Sequence, residues 1–263
     1  MKDDIIEITN LTLPYAFNDF DFKIPKDKII FISGPNSCGK TTLIRTMAGQ
    51  IKTKNMIFFG NVGLENYHLK DIEEKIKVII PNEDFFYYDT VKSEIEHTIN
   101  NLHSKDKEVT TAKIIKQYGL TKYIKSDPNK LDYFYRLKLQ LTLALLFNPT
   151  LLLLDDIFNS LQEKEKVDII NLIKNHQENH KISIIMTTSK LEDSLYGDYL
   201  YIIKDSSIVL EGEPLEVLKK DNELNKIGLE LPFSVDLSVK LHDYDLLNKI
   251  ETDIDRMIDS LWK

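Results

Sequence analysis

Apolar positions in the first part of the chain recur with a period of two. Ile5 to Leu13 alternates apolar and polar side chains, which predicts a half-buried strand. Pro14-Tyr15 and Asn18-Asp19 mark a turn, and Phe20, Phe22 and Ile24 resume the alternation as a second strand. Pro25-Lys26-Asp27 then leads into Ile29 to Ile32, an unbroken apolar run of the kind buried on both faces of a parallel sheet. The period turns helical just beyond it, at Leu43, Ile44 and Met47. Met56 to Phe59 and Val62 form a short hairpin about Gly60-Asn61, and Lys70 to Lys75 reads as a helical turn. Val78 to Ile80 is another buried strand, ended by Pro81-Asn82.

From Thr90 to Lys138 helical spacing dominates. Val91, Ile95, Ile99 and Leu102 share one helix face, His103 to Glu108 is a charged, solvated linker, and Thr110 to Tyr118 and Thr121 to Ile124 continue as helices. Strand character returns in Leu151 to Leu154, which ends in Asp155-Asp156. An amphipathic helix over Lys164 to Asn175 follows, then a buried strand over Ile182 to Met186 running into Thr187-Thr188-Ser189. Tyr199 to Ile203 and Ser207 to Leu210 pair as a hairpin closed by Glu211-Gly212, and a helical tail broken at Pro232 runs from Asp221. Strands alternating with helices predict an α/β core holding a helical insertion. There are no repeats and no low-complexity segment.

The chemistry concentrates where the period changes. Gly34-Pro-Asn-Ser-Cys-Gly39-Lys40-Thr41 lies between a buried strand and a helix, with the spacing of a phosphate-binding loop. Gly34 and Gly39 let the backbone turn tightly, so that the loop Pro35-Asn36-Ser37-Cys38 with Thr42 wraps a polyphosphate at a helix N-terminus, its N–H groups, which Pro35 lacks, facing the anion. Lys40 reaches the β- and γ-phosphates, and the Thr41 hydroxyl offers Mg²⁺ a hard oxygen ligand. Asp155, at the end of its apolar strand, is the second Mg²⁺ candidate, and Asp156 lies where a base could polarise an attacking water. Tyr15, a short span before the loop, either stacks on an adenine face or packs at a strand end on the core. Cys38, at a helix start beside Lys40, is expected to have a lowered pKa and to be reactive. His176 and His180 have helical metal-ligand spacing but read as a solvated face.

Composition narrows the classes. With 263 residues, 42% of them hydrophobic, the chain can bury a sizeable core, either as one domain with an appendage or as two small domains. A net charge of −8 gives no basic pull toward nucleic acid or anionic lipid. One cysteine excludes an internal disulfide framework and suits a reducing cytoplasm. The N-terminus shows no apolar signal region, and no apolar run is long enough to span a bilayer, so any link to a membrane is expected to run through a partner.

The chain resembles the ATP-binding-cassette (ABC) ATPases, and specifically the ATPase subunits of energy-coupling factor (ECF) vitamin transporters. The resemblance is carried by the Tyr15 position, the loop at Gly34–Thr41, Val78 to Val91, Asn148 to Asp156, Ile208 to Val217 and the tail motif Gly228-Leu-Glu-Leu-Pro-Phe233, which points to the ECF branch. It implies an α/β P-loop NTPase fold: a RecA-like core with an antiparallel β subdomain over residues 1–220, a helical insertion at about 85–147, and a dimerisation tail over 221–263. It also implies ATP and Mg²⁺ as cofactors. The implied partners are a second ABC ATPase subunit and a membrane scaffold subunit that works through a substrate-binding component, with no nucleic acid; the implied place is the cytoplasmic face of a bacterial cell membrane.

Departures from the family fall on its catalytic positions. The Q-loop glutamine aligns with Ile80, the Walker B glutamate with Asp156, the D-loop aspartate with Gln162 and the switch histidine with Ser189. The signature that closes on a partner's nucleotide aligns with Leu131-Asp-Tyr-Phe-Tyr135, which sets a carboxylate and rings where the family has small donors. These changes predict weak turnover and a heterodimer in which this chain is the weakened half, with a micronutrient import system as setting. The alternative is a non-hydrolysing regulatory or structural subunit. A soluble cassette of DNA repair or translation lacks support, because neither a coiled-coil insertion nor a tandem repeat is present.

Overall fold

The computed structural model describes residues 4–83, 86–102, 111–248, 251 and 254–262. Numbered in chain order, the elements begin with strands β1 (Asp4–Leu13), β2 (Phe17–Pro25) and β3 (Ile29–Ser33), helix α1 (Lys40–Met47), β4 (Ile57–Phe59), β5 (Val62–Gly63), α2 (Leu69–Lys75) and β6 (Ile76–Ile79). The insertion supplies α3 (Val91–Asn101), α4 (Thr111–Gln117) and α5 (Tyr133–Leu145). The second half is β7 (Leu151–Leu154), α6 (Glu163–His180), β8 (Ser183–Thr187), β9 (Tyr199–Lys204), β10 (Ser207–Gly212), α7 (Pro214–Leu218), α8 (Asp221–Lys226), α9 (Phe233–Asp243) and α10 (Ile254–Leu261).

One sheet has the order β10-β9-β3-β8-β7-β6, parallel throughout except for β10. The other is antiparallel, in the order β2-β1-β4-β5. The inner strands β3, β7 and β8 are buried on both faces, which is why they read as apolar runs rather than alternations, while the edge strand β6 leaves Lys77 and Val78 half-buried. From β3, Phe31 enters one core with Leu152, Leu154, Ile184 and Met186 beneath the helices. Ile30 and Ile32 enter a second core with Leu151, Leu153 and Ile185, closed by Ile6, Ile8 and Phe22 of the antiparallel sheet and by Leu43 and Met47 of α1. Leu224 and Val235 of the tail are fully buried in the first core.

Some local expectations shift. The turn between β1 and β2 sits at 14–16, and Asn18 and Asp19 lie inside β2. Side chains take their N–H groups, Ser206 Oγ accepting from Asn18 at 3.0 Å and Thr12 Oγ1 from Asp19 at 3.1 Å, and Asp19 stands in the left-handed region at φ 53°, an irregularity carried within the strand. Residues 121–123 form a single 3₁₀ turn rather than a helix. The amphipathic helix α6 runs to His180, begun by a capping box between Gln162 and Glu165 and ended by Lys181 at φ 51°. The charged linker expected at His103 to Glu108 lies outside the described residues.

The topology decides where chemistry collects. Strands β3, β8 and β7 are neighbours and point the same way, so the segments leaving their carboxyl ends are brought to one edge. These segments are Gly34 to Thr41, Thr187 to Ser189, and Asp155-Asp156.

Candidate nucleotide-binding site

The loop after β3 wraps tightly against its neighbours. A Cβ on Gly34 would collide with the Ile203 carbonyl oxygen, and one on Gly39, which has φ 99°, would stand 2.9 Å from the Phe17 ring. Only glycine allows both approaches. Beyond Gly39, α1 begins at Lys40. The Lys40 ammonium folds over the loop and donates to the Gly34 carbonyl at 2.8 Å and the Pro35 carbonyl at 3.2 Å. It forms no ion pair among the described residues. Its charge is therefore available to an anion that displaces those carbonyls.

Two acids meet the loop from β7. Asp155 is 5% exposed; it accepts from Thr41 Oγ1 at 2.7 Å through one oxygen and from Thr187 Oγ1 at 2.6 Å through the other. Thr187 Oγ1 in turn accepts the Asp156 N–H at 2.9 Å. Asp156 stands at φ 49°, and its carboxylate accepts from Ser189 Oγ at 2.8 Å, from the Ser189 N–H at 3.3 Å and from Asn159 Nδ2 at 2.6 Å. Thr41 with Asp155 is a pair of hard oxygen donors beside an unpaired ammonium, a donor set that fits a magnesium-bound polyphosphate.

These groups line a cleft of about 300 Å³. Of the residues expected from sequence, Tyr15, Asn36, Ser37, Gly39, Lys40, Thr41, Thr42, Asp155, Asp156 and Ser189 are on its walls. Gly34, Pro35 and Cys38 belong to the loop behind the walls. Ile80 is buried in the second core and is not part of the lining. Tyr15 is fully exposed at φ 62°, so its ring does not pack on the core. Three contributors went unnoticed in the sequence. Ala16 joins the lining, and Thr187 and Asn159 hold the two acids. The run Thr187-Thr188-Ser189 after a buried strand was the visible signal for the second; Asn159 had none, since its role depends on the fold of the segment after β7.

Two expectations about side-chain chemistry are corrected. Burial pushes the Cys38 thiol above its ordinary value, overriding the opposing pull of Lys40. Iodoacetamide labelling of Cys38 is thus expected to be slow at neutral pH and to climb only above the ordinary thiol range of ~8.5. A pH–rate profile on the native chain measures this, and a midpoint below that range would contradict it. His176 is half-buried rather than solvated: burial, and secondarily the neighbouring His180, push it down to about 4, and the two rings stack at 4.3 Å. Among the described residues no group of three or more metal-ligating side chains converges.

The segment expected to face a partner's nucleotide is built into the start of α5. Asp132 caps that helix, accepting the Tyr135 N–H at 3.1 Å, and remains exposed. The Tyr133 hydroxyl donates to the Ile157 carbonyl at 2.8 Å, and the Tyr135 ring packs on Tyr123 at 4.0 Å.

Comparison with known proteins agrees with this arrangement. The chain is 25% identical to the energy-coupling factor transporter ATP-binding protein EcfA1 of Mycoplasma mobile, over 92% of each chain. It is 26% identical to the EcfA1 of Ligilactobacillus salivarius, over 98% of this chain and 95% of the relative. Among solved structures it shares its fold with cbiO1 of Clostridium perfringens, described as part of the ABC transporter complex cbiONQ (TM-score 0.73, 21% identity, 92% of this chain and 99% of that one). It also shares it with an ATP-binding cassette in a dimeric post-hydrolysis state bound to ADP and Pi (TM-score 0.67, 17% identity, 80% and 98%). The family model described as ABC transporter matches residues 17–159, more than half of the chain, and the chain belongs to that family.

Proposed function

We propose that this chain is the ATP-binding subunit of an ECF-type transporter, seated at the cytoplasmic face of a bacterial membrane. The observation that carries the reading is the Thr41–Asp155 pair at 2.7 Å beside Lys40, whose ammonium has carbonyl oxygens rather than a carboxylate for partners. In MgATP binding, Lys40 leaves the Gly34 and Pro35 carbonyls for phosphate oxygens, Thr41 and Asp155 hold the metal, and Tyr15 offers its exposed face to the base. Bound Mg²⁺ supplies charge neutralisation on the phosphates. The chain itself has no helix among the described residues long and apolar enough to cross a membrane, so a scaffold subunit carries the transmembrane part.

The contact to that scaffold falls near Glu83 to Asp89, of which 84–85 lie outside the described residues. Glu83 pairs with Arg45 of α1, which links this segment to the helix that begins at Lys40. The tail over 221–263 serves dimerisation, with Phe233, Tyr244, Leu246, Ile258 and Trp262 as its exposed apolar surface. The partner is a second cassette, and this chain is the weakened half. Ile80 has no polar atom to orient water. The Asp156 carboxylate is one methylene shorter than glutamate and is engaged by Ser189 and Asn159. Asp132, Tyr133 and Phe134 replace compact donors at the surface that would close on the partner's nucleotide. The transported substrate, a vitamin or other micronutrient, is chosen by another subunit.

A second reading, binding without turnover, is favoured by those hydrogen bonds on Asp156. ATPase measurement with and without the second cassette separates the two. Asp156→Glu combined with Ser189→His is expected to raise turnover of the assembled complex by about 10²-fold, the lower end of general-base effects. No gain would place the fault in closure of the dimer rather than in chemistry.

A further inference from the structure

Three consecutive hydroxyls leave β8, and each meets a different carboxylate. Thr187 donates to Asp155 and Ser189 to Asp156, both on the cleft. Between them, Thr188 turns away from the cleft; its hydroxyl shares its proton between Asp193 Oδ2 at 2.9 Å and the Lys190 carbonyl at 3.0 Å, and accepts the Lys190 N–H at 3.0 Å. Asp193 is 1% exposed and its other oxygen pairs with Lys166 of α6 at 2.7 Å; Lys166 is also 1% exposed. Glu163 reaches the same ammonium at 2.7 Å from the first turn of α6, and the Tyr196 hydroxyl donates to Glu163 at 3.2 Å. A buried ion pair is thus placed directly behind the segment that carries Ser189, and neither charge touches the cleft.

We propose that Lys166 and Asp193 are positioning residues for the metal-side wall of the nucleotide site, acting through Thr188. Burying two charges is a poor route to stability, and apolar side chains would fill the space at least as well. What the pair adds is direction. A buried carboxylate with one oxygen held by an ammonium presents its other oxygen in a fixed place, and Thr188 is tied to it. The Thr188 backbone N–H donates to the Ile32 carbonyl at 3.0 Å, and its carbonyl accepts from Ser33 Oγ at 3.0 Å. Thr188 is therefore held on its backbone by β3, the strand that feeds the phosphate-binding loop, and on its side chain by Asp193, which Lys166 of α6 fixes in turn. The next residue, Ser189, has its N–H and hydroxyl both aimed at Asp156.

The inference rests on the nucleotide-site reading and predicts an effect at one end of that site. Asp156 and Ser189 adjoin the Thr41–Asp155 pair, where the terminal phosphate and metal belong, whereas Tyr15 marks the base end. Loosening Thr188 should then weaken ATP more than ADP. The test is isothermal titration of the intact chain with MgATP and MgADP, in Thr188→Val, Thr188→Ser and Asp193→Asn. The preference for ATP over ADP is expected to fall by about threefold to tenfold in Thr188→Val, the worth of one hydrogen bond, with ADP affinity held within about twofold. Asp193→Asn should fall similarly, and Thr188→Ser, which keeps the hydroxyl, should bind as wild type. An unchanged preference in Thr188→Val, or equal losses for both nucleotides, overturns the proposal. If Asp193→Asn does not fold, the two Thr188 variants decide alone. If the wild-type chain binds neither nucleotide, the site reading itself falls. Exchange of the Ser189 amide without nucleotide then decides whether Thr188 positions it, and equal rates in Thr188→Val and wild type would overturn that as well.

Discussion

Lys40→Ala should leave the chain folded and lower its affinity for MgATP by about 10²-fold or more, the worth of one or more charge-assisted hydrogen bonds to phosphate oxygens. The folded structure has little to lose: Lys40 is at the first position of α1, its ammonium contacts two loop carbonyls, and alanine is a good helix former. Asp155→Asn provides the companion measurement. Its carboxylate accepts from Thr41 and Thr187, and the amide keeps one acceptor but cannot match the anion as a magnesium ligand. Metal-free ATP should therefore bind the Asp155 variant far better than MgATP does, while Lys40→Ala weakens both. Titrations with and without Mg²⁺ distinguish the two losses. Retained MgATP affinity in Lys40→Ala would remove the loop as the phosphate site.

How much of this was legible in the sequence depended on whether the signal was periodic or relational. The buried strands at 29–32, 151–154 and 182–186 could be read because a sheet covered on both faces demands unbroken apolar runs. The phosphate-binding loop was legible because two glycines, a lysine and a threonine carry their meaning in their spacing. Asp19 misled only in part: it takes the left-handed φ of a turn former, but within β2, where its N–H is met by Thr12 across the strand pair, while the chain reverses at 14–16. The Cys38 expectation weighed the nearby ammonium and left out desolvation, because burial of a loop side chain is not visible along the chain. Asn159 on Asp156, and Asp193 on Thr188, are contacts between segments that only the fold brings together. For the same reason Asp132 read as a charge aimed at a partner, while the structure also gives it a role within its own chain as the cap of α5.

Lys166→Met should cost about 3–5 kcal/mol of folding stability, the penalty for leaving one member of a buried pair without its counter-charge. Both partners are 1% exposed, so neither charge can recover the loss by solvation. Asp193 is 1% exposed, and once the ammonium is gone it retains the Thr188 hydroxyl but no cation. Glu163, the third member, is exposed enough to be solvated and should contribute little when replaced alone. The double variant Lys166→Met/Asp193→Leu separates charge from shape. With both charges removed and the volume kept, stability should return close to that of the wild type, since hydrophobic replacement of a complete buried pair is often neutral or stabilising. Urea unfolding of the three proteins measures it, and equal losses in the single and double variants would mean that packing rather than an unpaired charge sets the cost. If positioning is what the pair is for, the recovered double variant should still lack the wild-type preference for ATP over ADP. Its fold would be intact and Thr188 would have lost its fixed carboxylate, keeping only the Lys190 carbonyl of its own loop, so stability and nucleotide discrimination would come apart in one protein.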